Sequence, residues 1–250
     1  MNLLIDIGNT RIKWALQDGE EWISGTPLVR GSKPFKDIAR PAWKELETPE
    51  RVIVSNVAGA EFEKSVCTWV KRRWKILPEF LHSRAEQCGV INAYTKPERL
   101  GNDRWAALIA AHGLCRGAAV ILGCGTAITV DALSADGRHL GGLIAPGVEL
   151  MISSVCASAS DVTVEDGDTG EIVLLASSTE SAVLGGSLYA AVSLLDRISA
   201  DLRGELGNDV SLLLTGGDAG RLMPLLESRP AHEPELILKG LAIFARETAS

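Results

Sequence analysis

No cysteine in this chain belongs to a C-x-x-C pair. The five present, Cys67, Cys88, Cys115, Cys124 and Cys156, are odd in number and widely spaced. That excludes a disulfide framework and a zinc-ribbon ligand set, and it reads as free thiols in a reducing cytoplasm. The four histidines, His82, His112, His139 and His232, also lack ligand spacing, and they read as surface residues or as supports for other groups. Positive charge is in deficit: 25 Lys and Arg against 32 Asp and Glu leave a net charge of −7. Nucleic-acid binding driven by phosphate neutralisation is therefore not expected. The longest weakly polar run, Gly117 to Val130, is too short to span a bilayer and holds a Gly-rich turn. The start shows no basic region and no cleavage site, so no secretory leader is expected. The expectation is a cytoplasmic protein with no membrane partner. There is also no G-x-x-x-x-G-K-[ST], which excludes a P-loop.

What is present is enough for a sizeable core. The chain has 250 residues, 46% of them hydrophobic, sufficient for one large or two small domains. Its first stretch, Leu3-Leu4-Ile5-Asp6-Ile7-Gly8-Asn9-Thr10-Arg11-Ile12-Lys13-Trp14, predicts a buried strand, a turn at Gly8-Asn9-Thr10, and a second strand doubling back from Ile12. A carboxylate at the mouth of a strand, followed by small residues, suits a metal-bound phosphate chain. Backbone N–H groups can cradle phosphate oxygens, and Asp6 can hold Mg²⁺ directly or through water. An ordinary hairpin with an Asp at its turn looks the same, and the stretch alone leaves both readings open.

Further along, a turn at Asp18-Gly19 leads into Glu21 to Thr26, and a short helix over Phe35–Leu46 fits among the prolines of 27–50. Arg51 to Val57 predicts a strand whose polar end, Ser55-Asn56, either faces a cleft or simply closes the strand. Phe62, Val66, Trp69, Val70 and Trp74 recur at helical spacing over Glu61–Trp74. Lys71, Arg72 and Arg73 then form a solvated face near that helix's end. Another strand is expected over 75–81. The polar stretch 92–104 ends at Gly101-Asn102-Asp103-Arg104 and runs into an Ala-rich helix, Trp105 to Leu114. Asp103 stands at the N-cap or in the first turn. It is either a cap or a carboxylate base beside a guanidinium able to bind an anion.

The opening unit then repeats. Ala119 to Asp131 is again an apolar strand, a Gly-Thr turn at Gly125-Thr126, and a second strand, with Gly123 where the first copy has Asp6. A repeat at this distance predicts two similar half-chains, 1–116 and 117–250, with a cleft presenting two phosphate-facing turns to one ligand. The second half continues with a turn at Asp136-Gly137-Arg138, a Gly-rich segment at 141–147, and a helix over Val148–Ala159. A surface loop is expected over 160–180, around an apolar run Ile172–Ala176. Ser177-Ser178-Thr179 then precedes a long helix, Glu180 to Leu202, as an N-cap or as a ligand hydroxyl. Val210 to Thr215 is a strand running into Gly216-Gly217 and a helix N-terminus. A short strand and a terminal helix are expected from Pro234.

Asp6-x-Gly-x-Thr, the second strand-Gly-Thr turn and the late Thr-Gly-Gly together resemble the actin-like ATPase and sugar-kinase superfamily. The resemblance to type III pantothenate kinases is much closer. It rests on DIGNTRIK at 6–13, YTKPERLGNDR at 94–104, GTAITVD at 125–131, GGLIAPG at 141–147 and TGGDA at 215–219. These span nearly the whole chain. The resemblance implies an α/β fold of two actin-like, ribonuclease H-like halves, each a mixed sheet with helices, and transfer of the ATP γ-phosphate to the primary hydroxyl of pantothenate. It implies that Asp6, Ile7, Gly8, Asn9, Thr10, Arg11, Ile12 and Lys13 bind ATP phosphates, Asp6 serving the Mg²⁺, and that Thr126 also contacts ATP. By the same resemblance Tyr94, Gly101, Asn102, Asp103, Arg104 and Thr179 hold pantothenate, and Asp103 is the catalytic base. A homodimer and a monovalent cation, K⁺ or NH₄⁺, are implied as well. One position departs: the family usually carries Asp-x-Gly-Thr in the second turn, where that Asp binds the monovalent cation, and this chain has Gly123. Its K⁺ dependence is therefore expected to be weaker. A non-catalytic relative that binds nucleotide or pantothenate as an accessory or regulatory protein is the alternative, and a kinase for another small hydroxyl substrate a third. Retention of Asp6, Asp103 and Arg104 favours the enzyme.

Overall fold

The structure, a computed structural model, describes residues 1–158 and 175–248. Most of the expected loop over 160–180 lies outside the described residues. The chain divides into two compact units: residues 1–116, 137–139 and 235–250 form the first, and 117–136 and 140–234 the second.

In the first unit, β1 (Asn2–Ile7), β2 (Arg11–Asp18) and β3 (Glu21–Ser24) form an antiparallel meander. A two-residue strand, β4 (Leu28–Val29), pairs with the start of β2. Helix α1 (Phe35–Trp43) leads to β5 (Arg51–Asn56), which lies parallel to β1. Helix α2 (Ala60–Trp74) then leads to β6 (Glu79–Phe80), parallel to β5. The sheet order is β3-β2-β1-β5-β6. A small hairpin of β7 (Glu86–Gln87) and β8 (Val90–Ile91) precedes α3 (Asn102–Leu114). The C-terminal helix, Leu236–Glu247, packs on α3 and on the sheet.

Strand alternation explains the two faces of this sheet. Leu3, Ile5 and Ile7 join the core made with Phe35, Trp43, Val66, Val70 and Trp74 of α1 and α2. Leu4 and Asp6 therefore point to the opposite face, where α3 and the C-terminal helix lie. Those two helices approach closely because a Cβ at Gly240 would overlap the Ala106 carbonyl.

The second unit repeats the plan. β9 (Ala119–Cys124) and β10 (Ala127–Leu133) are an antiparallel pair, and β11 (His139–Pro146) lies beyond β10. After α4 (Val148–Ser158) and α5 (Thr179–Leu206), β12 (Ser211–Thr215) pairs parallel to β9. A short α6 (Ala219–Leu222) and β13 (Ala231–His232), parallel to β12, complete the order β11-β10-β9-β12-β13. Val120, Leu122, Ile128 and Val130 of this sheet pack on Ile152 of α4 and Leu184, Leu188 and Leu195 of α5. Among the described residues, no helix is long and apolar enough to cross a membrane.

Several boundaries differ from expectation. The strand expected over 75–81 is reduced to two residues, because Lys75 takes a left-handed conformation that caps α2. The segment from Pro234 holds no strand: the short strand is Ala231–His232, and helix begins at Leu236. Leu236 and Leu238 imitate a strand's period, but both are buried side chains of that helix. Helix α3 starts at Asn102, earlier than Trp105, which puts Asp103 inside its first turn with Gly101 as N-cap.

Candidate active site

Asp6 ends a strand and is nearly buried, with 7% of its surface exposed. Its Oδ1 is buried without a hydrogen-bond partner. Ser55, its partner across the parallel β1–β5 ladder, carries a second such oxygen, Oγ. Side chains paired in this way share a face of the sheet. Buried oxygens without partners are costly unless a cation or water satisfies them. Asp6 is consequently hard to ionise. Burial pushes its pKa from 3.8 up to about 7, the negative charge of Asp103 adds to the rise, and Lys13 opposes it. Lys13 is the residue opposite Asp6 on β2.

Asp103 is brought near Asp6 by the N-terminus of α3, and that N-terminus is tied to the end of β5. Asn102 Nδ2 donates to the Asn56 carbonyl at 3.1 Å, while its Oδ1 accepts from the Ser83 N–H at 3.0 Å. Ile7 and Asn56 are partners in the ladder, so the tie reaches the residue next to Asp6. Ser55-Asn56 thus does more than close a strand: Asn56 also orders the following turn, its Oδ1 accepting from the Ala58 N–H at 2.9 Å. Asp103 Oδ1 accepts from the Arg104 N–H at 2.8 Å. Gly101 suits this spot because a Cβ there would crowd that same Oδ1 at 2.6 Å.

Arg104 is buried and points to Tyr94. Its Nη1 donates to the Tyr94 hydroxyl at 3.0 Å, and the guanidinium lies 5.8 Å from the ring centroid. The same ring stacks on His139 at 5.9 Å and 20°. His139 is buried, and of the two readings open for the histidines it takes the supporting one rather than the surface one. No sequence spacing links His139 to Tyr94; the join is made by residues 137–139, where the Ile91 N–H donates to the Gly137 carbonyl at 2.9 Å.

The turn after β1 is closed by the Gly8 N–H on the Arg11 carbonyl, 3.0 Å, and leaves Asn9 and Thr10 exposed at its tip. Arg30, which no motif marks, braces it. Its Nη1 donates to the Asn9 carbonyl at 2.7 Å and reaches the Gly8 carbonyl at 3.5 Å. Arg11, Ile12 and Lys13 follow on β2, Ile12 fully buried and Arg11 exposed.

The second unit assembles its own turn from three of the sequence motifs. The Gly125 N–H donates to the Ala127 carbonyl at 3.1 Å, and Gly147 donates to the Thr126 carbonyl at 3.0 Å. Gly147 and Gly216 lie so close to this turn that a Cβ on either would overlap its backbone, and the Asp218 N–H donates to the Cys124 carbonyl at 3.0 Å. Thr126 is exposed at the tip, and Thr179 is the exposed first residue of α5. Ser178 is that helix's N-cap, its side chain accepting from the Ser181 N–H at 3.2 Å. A side chain at Gly123 would run into Thr129 Oγ1. The Cys124 thiol is pushed up to about 12, by burial first and then by Asp218, so it stays protonated and is no nucleophile.

Two sheets of one strand order, each opening with a strand-turn-strand unit, define the class. The fold is that of the actin-like ATPases and sugar kinases. A glucokinase from an Antarctic psychrotroph shares it with a TM-score of 0.51 at 14% identity, over 99% of each chain. A protein from Campylobacter jejuni described as a Baf family transcriptional activator shares it at 0.60 and 20%, over 98% of each chain. Within that class the sequence is more specific. The family model for type III pantothenate kinase matches residues 2–201. The type III pantothenate kinase of Nitrosococcus oceani is 43% identical over 254 residues, covering 100% of this chain and 95% of the relative. This chain belongs to the type III pantothenate kinase family.

Proposed function

We propose that the pantothenate kinase reaction of this family runs here on Asp103, with Asp6 and Arg104 beside it in the first unit. The enzyme transfers the ATP γ-phosphate to the primary hydroxyl of pantothenate, giving 4'-phosphopantothenate, the first step of coenzyme A biosynthesis. The observation that carries the residue assignment is the pair of carboxylates, Asp6 at the end of β1 and Asp103 in the first turn of α3, close enough for one charge to raise the pKa of the other.

Phosphoryl transfer needs in-line positioning and neutralised charge more than covalent help. Asp103 accepts the proton of the pantothenate hydroxyl as its oxygen bonds to the γ-phosphorus, and the bond to the β–γ bridging oxygen breaks with ADP as leaving group. Arg104, steadied by Tyr94, pairs with the carboxylate of pantothenate; Gly101, Asn102 and Thr179 keep the pantothenate-binding roles that the family resemblance implies. Residues 6–13 and Thr126 take the nucleotide. The orphaned Oδ1 of Asp6 fits a divalent cation, which Asp6 would hold directly or through water. When bound, Mg²⁺ neutralises charge on the phosphates. The position of the family's monovalent-cation carboxylate is Gly123, and Thr129 Oγ1 fills the space beside it. These residues do not reproduce that ligand, so no step is assigned to K⁺ or NH₄⁺, and the rate should respond to K⁺ less steeply than in an Asp-bearing relative.

A homodimer belongs to this reading. It is supported by exposed apolar residues on the edge strand β11 (Leu140, Leu143, Ile144), on α4 (Leu150, Val155) and on α5 (Tyr189). We place the enzyme in the cytoplasm, where thiols like these five persist reduced. The test is ATP-dependent formation of 4'-phosphopantothenate by the purified chain, followed by mass. Product confirms the reading; no product with nucleotide binding retained moves the chain to the accessory or regulatory alternative.

A further inference from the structure

We propose that Arg30 is a positioning residue for ATP, holding the first turn in the orientation that presents its backbone N–H groups to the phosphates. This rests on the reading that residues 6–13 bind the phosphate chain. Arg30 follows β4, which pairs with Arg11 and Ile12 at the start of β2. Its own N–H donates to the Thr10 carbonyl at 2.9 Å, fixing it beside the turn. From there Nη1 takes the Asn9 carbonyl at 2.7 Å and the Gly8 carbonyl at 3.5 Å. The guanidinium also lies over the Phe62 ring, 4.7 Å from its centroid. Phe62 packs against the aromatic core of the unit, edge-on to Phe35.

The consequence follows from peptide geometry. In a trans peptide the C=O and the next N–H point in opposite directions. Drawing the carbonyls of Gly8, Asn9 and Thr10 toward Arg30 turns the N–H groups of Asn9, Thr10 and Arg11 the other way. Successive N–H groups on one side of a turn make an anion-binding concavity. Carbonyl dipoles facing bound phosphate would repel it, and Arg30 holds them away. It also places a permanent positive charge at the turn. The stack from Phe35 through Phe62 to Arg30 makes the core of the first unit the support for that turn.

The test uses the full chain and three variants, Arg30→Met, Arg30→Lys and Lys13→Ala. Arg30→Met keeps an unbranched stem over Phe62, and its thermal melt checks folding. The expected result for Arg30→Met is a KM for ATP raised about tenfold, with kcat and the KM for pantothenate changed less than about twofold. Inhibition by ADP should weaken by the same factor while inhibition by adenosine, which has no phosphate, is unchanged. Arg30→Lys, which keeps the charge and one donor group, should recover part of the loss. A folded Arg30→Met with an unaltered KM for ATP, or with both KM values rising together, overturns the inference. Lys13→Ala separates the two levels. If it raises the KM for ATP and Arg30→Met does not, only the role of Arg30 falls. If neither variant changes it, the phosphate reading of the turn falls as well.

Discussion

Burial and the neighbouring Asp103 make Asp6 hard to ionise in the folded chain. Its folded pKa of about 7 lies above its ordinary 3.8. Between those values the folded chain binds more protons than the unfolded chain, so stability falls as pH rises through that window and is lowest above it. The difference corresponds to a penalty of about 4 kcal/mol when complete. Asp6→Asn should therefore raise the melting temperature of the free protein at pH 8 and leave it nearly unchanged at pH 4, while ATP turnover collapses. Thermal melts across pH check this, and an equal effect at both pH values would contradict the burial argument. Only part of this was legible in the sequence. Asp6, Asp103 and Arg104 stood out because each sits at the junction of an apolar run and a turn or helix. Their supports did not: Arg30 and His139 act through contacts made by residues distant in the chain, and no local pattern marks them.

At the scale of elements, the two strand-turn-strand units differ at the position that matters for a cation, Asp6 in the first and Gly123 in the second. The first turn has a carboxylate that faces α3; the second has Gly123 with Thr129 Oγ1 against it. Restoring the family's Asp at this site is a packing problem before it is a metal-binding one. Gly123→Asp alone should destabilise by about 1–3 kcal/mol through overpacking. Gly123→Asp with Thr129→Ala should recover most of that stability and acquire a steeper response of rate to K⁺, read by melts and by assays in K⁺ and Na⁺ buffers. If the single variant is as stable as the parent, the steric account of Gly123 is wrong. The strands and helices themselves were readable wherever one period dominated, as in β1 or in α2 with its Val66-Val70-Trp74 face. They misread where a short span fits the strand period although the chain goes on as helix. Leu236 and Leu238 fit a strand's period locally, and the close fit of Gly240 on Ala106, which decides for helix, joins segments far apart in sequence.

Across the whole molecule, the duplication is deeper than the sequence shows. Gly8 and Gly125 stand at matching places in their motifs, but the parallel partner strands β5 and β12 share little sequence beyond their apolar character. Their equivalence appears only in the shared order of the two sheets. A dimer is argued at the same scale, from the apolar residues left exposed on β11, α4 and α5. If the proposed dimer uses this face, Ile144→Glu on the edge strand should shift it toward monomer in sedimentation velocity; an unchanged distribution would place the interface elsewhere. Asp103 as the base for phosphoryl transfer to pantothenate is tested directly by one measurement. Transfer of label from γ-labelled ATP to pantothenate, measured for the native chain and for Asp103→Asn alongside binding constants for both substrates, should show a rate lower by about 10²–10⁴ in the variant with both affinities nearly retained. Label transfer by Asp103→Asn at the native rate would contradict the assignment.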